Sequence, residues 1–429
     1  MNEISAKQPV AATTQQPCRL CGSPLHHTLV DLGMSPLCES YLAAGDLDRM
    51  EPFYPLRVMV CGSCLLVQLN AYVAPEHIFT EYAYFSSYST SWVAHAKDYA
   101  DSIERRLGLG RDSLVMELAS NDGYLLQHFL PKGIPVLGIE PAANVAEAAR
   151  AKGVETLVDF FGVRLASQLA AEGRKADLIA ANNVLAQVPD LNDFVAGMAI
   201  ALKPEGVVTI EVPHIAKLIA ERQFDTIYHE HFSYFSLYSM EHMARRNGLK
   251  VIDVEELWTH GGSLRVHLAL EGSVRARSAE VDRVLADEAA AGLHSLETYT
   301  GFEERVRALK RDLLALLIDL KRQGKSIAGY GAPGKSATLL NYCGIGPDLI
   351  EFTVDRNPYK HGRFTPGMHI PIHAPEAIDA AKPDYVVILP WNLKTEISRQ
   401  LRHIGSWGGK FIVPIPDPVI VEPESEDRP

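Results

Sequence analysis

The chain has 429 residues, 47% of them hydrophobic, and a formal net charge of −12. That length and composition accommodate two or three domains with sizeable cores, and the acidic excess argues against a nucleic-acid partner, which needs a basic face. No apolar window is long enough for a membrane span and residues 1–17 lack an apolar h-region, so the expectation is a cytoplasmic protein with no membrane partner.

Four of the six cysteines form two C-x-x-C pairs, Cys18 with Cys21 and Cys61 with Cys64. In a large chain read as cytoplasmic, two such pairs predict a closed four-thiolate zinc site, with redox or coincidental cysteines as the alternative. A closed site holds a small domain together and offers no open position to a substrate. Cys38 has no C-x-x-C partner and reads as a buried small residue. The aromatic run Tyr82-Ala83-Tyr84-Phe85-Ser86-Ser87-Tyr88 follows, then a predicted helix over 92–107. Packing explains these rings one by one; as a connector between a metal domain and a nucleotide domain, the run also offers hydroxyls as ligands.

From Leu114 to Leu130 the sequence reads as strand, tight loop and a helix opening at Tyr124. The small Ala119, Ser120 and Gly123 let backbone approach a ligand, and free N–H groups at the helix start would face it. A second strand over 136–140 ends in Glu140, placed to accept ribose hydroxyls. A third, over 176–181, runs into Asn182-Asn183, and a fourth covers 206–212. This alternation predicts a mainly parallel sheet with helices on both faces and a ligand at the carboxyl ends of the strands, where Glu117, Glu140, Asn182 and Asn183 lie. The loop lacks G-x-G-x-x-G, and its E-x-A-S-N-D-G resembles the glycine loop of class I S-adenosylmethionine (SAM) methyltransferases.

Tyr228-His229-Glu230-His231 opens a stretch dense in titratable and aromatic groups. Its spacing excludes the zincin motif. It reads as an acid/base cluster or, as the alternative, a satisfied histidine pair in a loop. Residues 258–270 predict a glycine-bearing turn and a strand. The region 279–323 is predicted helical, with Phe302, Val306, Leu309, Leu313, Leu316 and Leu320 as a packing stripe. Ser326 to Ser336 matches both the dinucleotide and P-loop patterns in letter, yet the strand over 385–389 lacks the acidic magnesium anchor of a P-loop ATPase. The preferred reading is a backbone cradle around Gly331 for a substrate's phosphates, with Lys335 or Arg356 as counter-charge. The tail after Ile415 is proline-rich, then acidic, and is expected to fray.

Taken together, E-Y-x-Y-F-S-S-Y-S, S-N-D-G-x-L-L, N-N-V-L-A-x-V-P-D-L-N-D-F, Y-H-E-H-F-S-Y-F-S-L, G-G-S-L-R, G-Y-G-A-P-G-K and the paired C-x-x-C motifs resemble the SAM-dependent C-methyltransferases of dTDP-linked 4-keto-deoxysugars over nearly the whole chain. The likeness implies an α/β protein of three parts: a zinc-binding domain (1–79, its first residues disordered), a Rossmann-like SAM domain (80–262), and a C-terminal Rossmann-like domain (263–429) contributing to nucleotide-sugar binding. It implies zinc on Cys18, Cys21, Cys61 and Cys64, and SAM around Glu117, Asn121, Gly123, Glu140 and Asn182. It gives the chemistry to Tyr228, Glu230 and His231, with His231 as base, His229 as fallback and Tyr84 nearby. Members often carry histidine where this chain has Gln187 beside the substrate, which leaves the sugar open. An O- or N-methyltransferase, a catalytically silent nucleotide-sugar binder and an NAD enzyme are the alternatives.

Overall fold

A computed structural model of the chain describes residues 17–70 and 85–423, so Tyr82 and Tyr84 of the aromatic run and the outermost residues of both ends lie outside the described part. The strands, in chain order, begin with His27–Ser35 (β1), Tyr54–Val60 (β2), Val67–Leu69 (β3), Val115–Leu118 (β4), Val136–Ile139 (β5), Thr156–Leu157 (β6), Ala176–Asn182 (β7), Leu202–Pro213 (β8) and Ser233–Tyr234 (β9). They continue with Leu249–Leu257 (β10), Ser263–Leu270 (β11), Ile327–Tyr330 (β12), Thr353–Val354 (β13), Ile372–His373 (β14), Tyr385–Ile388 (β15), Lys410–Val413 (β16) and Val419–Val421 (β17).

The central sheet has the order β10-β11-β8-β7-β4-β5-β6. Its β4, β5, β6, β7 and β8 pair in parallel, while β11 pairs antiparallel to β8 and to β10. The buried runs V-M-E-L and V-L-G-I suit strands covered on both faces. Strand order reverses between β4 and β7, which creates the crevice where such a sheet takes its ligand. The helix Thr90–Leu107 packs beside it, capped by Ser89 accepting from the Trp92 N–H (3.3 Å) and ended by left-handed Gly108. Because Ser263–Leu270 completes this sheet, we place the start of the C-terminal unit after Leu270 and not at 263.

The helix expected from Tyr124 does not form. Two short 3-10 turns, Leu126–His128 and Leu130–Lys132, stand there instead. Tyr124, Leu125, Leu126 and Phe129 are all buried, with Gln127 and His128 partly exposed between them, and Pro131 with left-handed Gly133 ends the segment.

The N-terminal sheet has the order β1-β2-β3-β9, so its last strand comes from far along the chain. The C-terminal sheet, β14-β13-β12-β15-β16-β17, is parallel except at β17. The predicted helical region resolves into Ala279–Ala290, Leu296–Thr300 and Phe302–Arg322. In the last of these Leu317, not Leu316, completes the buried stripe. That stripe shares one core with the N-terminal sheet and the C-terminal sheet, uniting Leu29, Val58 and Leu69 with Phe302, Leu313 and Ile388. Among the described residues no helix is long and apolar enough to cross a membrane.

Candidate active site

A cavity of about 670 Å³ lies at the carboxyl ends of β4, β5 and β7, walled by all three parts of the chain. At one end Glu140 follows β5. Its Oε2 accepts the Asn121 N–H and its Oε1 the Ala142 N–H, both at 2.9 Å. Burial pushes this carboxyl up and the two N–H groups pull it back. Ala119, Asn121 and Asn183, all on this wall, hold left-handed backbone with φ of 55°, 49° and 55°, a conformation non-glycine residues keep where the surroundings fix it. Asn182 Oδ1 and both amide atoms of Asn183 are buried and have no hydrogen-bond partner among the described residues. Orphaned donors and acceptors beside a carboxylate fit a ligand carrying hydroxyl and ammonium groups, as SAM does.

Three expected residues of this end stand behind the wall. Glu117 is 1% exposed, its Oε2 has no partner among the described residues, and burial holds it well above the usual carboxylate range. Ser120 is fully buried. Gly123 has φ +74° and would place a Cβ 3.0 Å from Val154, so it serves the turn. Asp159, Phe160 and Phe161, which follow β6, line the cavity unforeseen. An acidic residue followed by two aromatics directly after a strand was the available signal.

At the other end Tyr228, Glu230 and His231 enter the cavity on one turn, closed by the His231 N–H to the Tyr228 carbonyl (2.9 Å). His231 Nδ1 lies 3.1 Å from the Thr226 carbonyl, which can only accept, so Nδ1 carries the hydrogen. Nε2 therefore holds the lone pair and accepts from the Tyr228 hydroxyl at 2.9 Å. Burial, reinforced by His260 and Lys335, depresses His231 to about 3. Glu230 is pushed up to about 7 by burial and by the nearby Glu39 charge, while Cys38 donates its S–H to Oε1 (3.3 Å). Cys38 is buried as expected, but it and Glu39 also form cavity wall, which no local pattern announced. His229 turns the other way: Nε2 donates to the Pro55 carbonyl (3.2 Å) and the ring is buried against Tyr54. Unlike His231, it is outside the cavity lining, where a fallback base was expected.

His260 also lines the cavity, with φ 55° and its ring edge-on to Trp92. The turn that carries it is held by Thr259 Oγ1 donating to buried Glu211 (2.9 Å), which in turn pairs with Arg265 of the G-G-S-L-R segment (2.8 Å). Gly261, at φ +89°, fits only without a side chain, because a Cβ would lie 2.7 Å from Trp391 and 2.9 Å from Gln223. Gly261→Ala is expected to cost about 1–3 kcal/mol, read as a lower melting temperature by calorimetry.

The C-terminal wall departs from the expected phosphate cradle. Gly331 donates its N–H to the Val354 carbonyl (2.6 Å), Ala332 to Asp355 (2.8 Å), and Gly334 to Glu39. The protein's own acceptors thus occupy these amides. Neither Gly331 nor Arg356 lines the cavity, and Arg356 is exposed, 3.3 Å from Glu396. The cations on the wall are Lys335, bonded to Asn392 Oδ1 (2.9 Å) and lying over Trp391, and Lys360, bonded to the Ala332 carbonyl (2.8 Å). Gln187 lines the cavity as expected.

The four predicted cysteines converge. Their sulfurs lie within 4.8 Å of one another, with Cys18 to Cys64 at 3.6 Å and Cys21 to Cys61 at 3.5 Å. Zinc–sulfur bonds of about 2.3 Å in a tetrahedron require sulfurs about 3.8 Å apart, so the set fits a structural zinc ion. The Gln68 amide (3.2 Å to Cys18 Sγ) and the Ser63 N–H (3.4 Å to Cys61 Sγ) support the sulfurs from outside.

Comparison with known proteins agrees part by part. Family models match for a zinc binding domain (18–79), a methyltransferase domain (92–254) and a C-methyltransferase C-terminal domain (258–416). C-methyltransferase NovU of Streptomyces niveus is 36% identical over 411 residues, covering 95% of this chain and 97% of its own. Looser likenesses include magnesium protoporphyrin IX methyltransferase of Synechocystis PCC 6803 (15% identity, TM-score 0.32, 42% of this chain and 81% of that one). The glycopeptide N-methyltransferase MtfA is another (14%, TM-score 0.33, 41% and 90%); neither bears on function. On the first relative and the three family models, the chain belongs to the SAM-dependent C-methyltransferases that carry an N-terminal zinc-binding domain.

Proposed function

We propose that the chain methylates the carbon beside the ketone of a nucleotide-linked 4-keto-deoxysugar, with dTDP as the nucleotide. The observation that carries the reading is a neutral imidazole, His231, on the wall of a cavity that also holds the Glu140–Asn182–Asn183 end, its one lone pair held by the Tyr228 hydroxyl of the same wall. Carbon methylation needs a carbanion equivalent, and a ketone makes the neighbouring C–H removable because the charge delocalises onto oxygen.

In this reading Glu140, Asn182 and Asn183 hold SAM, with Asp159 to Phe161 beside them, and SAM supplies an electrophilic methyl. His231 takes the proton at Nε2 once substrate displaces the Tyr228 hydroxyl, which is then free to donate to the enolate oxygen. A resting value of about 3 keeps the imidazole unprotonated. Negative charge forming on the enolate beside it raises its basicity as the proton moves. Glu230, held near 7, supplies a second neutral donor. Lys335, close enough to depress both His231 and His260, adds positive charge at the same end. Lys360 and Asn392 line the wall for the nucleotide, Lys360 in place of Arg356, and Gln187 lies where the sugar is chosen.

The test is mass spectrometry of protein, SAM and a dTDP-4-keto-deoxyhexose, with a parallel incubation in deuterated water containing S-adenosylhomocysteine. A gain of one methyl on the sugar and deuterium uptake beside the ketone are expected; neither signal overturns the reading.

Glu230 also sets a pH dependence. As pH rises through about 7 the carboxyl loses the proton it donates, so kcat/KM is expected to fall on the alkaline side. Glu230→Gln keeps a neutral donor, and its profile should lose that alkaline limb. An unchanged limb in the variant would assign it elsewhere.

A further inference from the structure

The zinc knuckle reaches the catalytic turn through one side chain. Arg19 sits between the first two zinc ligands, and its guanidinium crosses to the strand that follows His231. Nη1 donates to the Phe232 carbonyl and to Ser233 Oγ (3.2 Å), and Nη2 donates to the Leu69 carbonyl (2.6 Å). The group also lies over the Phe232 ring, 5.4 Å from its centre. Both ends of this bridge are fixed. On the zinc side the Arg19 N–H donates to Gln68 Oε1 (3.0 Å), the residue whose amide reaches Cys18 Sγ, and the Asn192 amide holds the Arg19 and Leu20 carbonyls (2.9 and 3.0 Å).

On the catalytic side the Phe232 N–H donates to the Ala186 carbonyl (2.7 Å) and its carbonyl accepts the Leu69 N–H (2.9 Å). Ala186 and Gln187 are themselves cavity wall. The β3–β9 pairing joins only Val67 and Gln68 to Tyr234 and Ser233, too short a ladder to fix a turn by itself. A planar, always charged fork with several donors suits such a junction, and lysine cannot copy it.

We propose that Arg19 is a positioning residue for the methyl-transfer reaction: it registers the Tyr228–His231 turn against the zinc knuckle, so that the knuckle sets the geometry of the catalytic base. The inference rests on the reading of His231 as base. A shift of the turn by a fraction of its bonding distance separates His231 Nε2 from the carbon acid without touching the cofactor end, and rate is steeply sensitive to such misplacement.

The experiment compares the full-length, zinc-loaded wild type with Arg19→Gln and Arg19→Lys. For Arg19→Gln, kcat is expected to fall by about thirtyfold, with KM for the sugar nucleotide and SAM affinity within threefold of wild type and zinc content unchanged. Deuterium uptake beside the ketone should fall by the same factor as kcat, and Arg19→Lys should lie between. Amide hydrogen exchange of peptides over 228–236, measured without substrate, should be at least tenfold faster in Arg19→Gln and unchanged over 115–118. Wild-type kcat in a zinc-loaded Arg19→Gln would overturn the proposal, as would a loss that merely tracks lost zinc or melting temperature. If wild type fails to exchange the sugar proton, the reading of His231 as base fails; the substrate-free exchange over 228–236 still reports whether Arg19 holds the turn.

Discussion

His231→Asn is expected to abolish methyl transfer, with a loss of about 10²–10⁴ in kcat and SAM affinity close to wild type. Asparagine can keep one polar contact to the Thr226 carbonyl, so the turn should persist, but it offers no basic nitrogen at the Nε2 position. The end proposed for the cofactor is built from the loops after β4, β5 and β7, and among the described residues it shares no hydrogen bond with His231, so binding and turnover are expected to separate. Isothermal calorimetry with SAM and the deuterium assay read the two halves. Turnover at the wild-type rate would give the base to another group, and loss of SAM binding would mean that the variant had disturbed more than the turn. Tyr228→Phe is informative beside it: the phenol occupies Nε2 at rest, so a loss as large as that of His231→Asn would make the tyrosine a relay for the proton, whereas a small loss would leave it a donor that merely holds the ring.

Replacing Cys61 or Cys64 by serine should have the larger effect on the molecule as a whole. Structural zinc sites contribute on the order of 10–16 kcal/mol of apparent binding free energy in zinc-finger peptides, as much as the total stability of a typical domain. Here the consequence reaches past the knuckle. Cys18, Cys61 and Cys64 pack in one core with Met116, Ile179 and Phe235 of the central unit, and β1 and β2 pack in another with the helix Phe302–Arg322. Serine at either position is expected to leave a metal-free protein that melts well below the wild type and shows no methyl transfer. Metal analysis by mass spectrometry, a thermal melt and the activity assay check this together. A metal-free variant with native melting and turnover would reduce the four cysteines to ordinary core residues.

Local pattern carried the parts of this protein whose chemistry is local. The two C-x-x-C pairs named the metal ligands because each pair fits one turn and thiolates in that spacing have few other uses. The apolar runs over 115–118 and 136–139, with Glu140 after the second, announced a parallel sheet and its ligand end, since buried strands and their carboxyl-end loops are encoded within a dozen residues. Tyr228-His229-Glu230-His231 stood out by its density of titratable groups, and three of its four residues line the cavity, though letters alone could not tell which histidine faces it.

Where pattern failed, the deciding contact came from a distant part of the chain. Glycine spacing at 329–336 looked like a phosphate cradle, but its amides are taken by Val354, Asp355 and Glu39, acceptors that only the folded chain brings there. The stretch from Tyr124 sends Tyr124, Leu125, Leu126 and Phe129 into the core, and this tertiary packing overruled its helical reading. Sequence by itself thus determined the four clustered cysteines and the order of the α/β units, because those follow from residue type and short-range spacing, and it marked the Tyr228–His231 stretch as a candidate. Tertiary structure alone decided that His231 faces the cavity and His229 does not, that Glu39 lies near Glu230, and that Arg19 reaches Phe232 and Ser233 just after the Tyr228–His231 turn. Orientation and electrostatic environment depend on groups tens to hundreds of residues away, which no local pattern encodes.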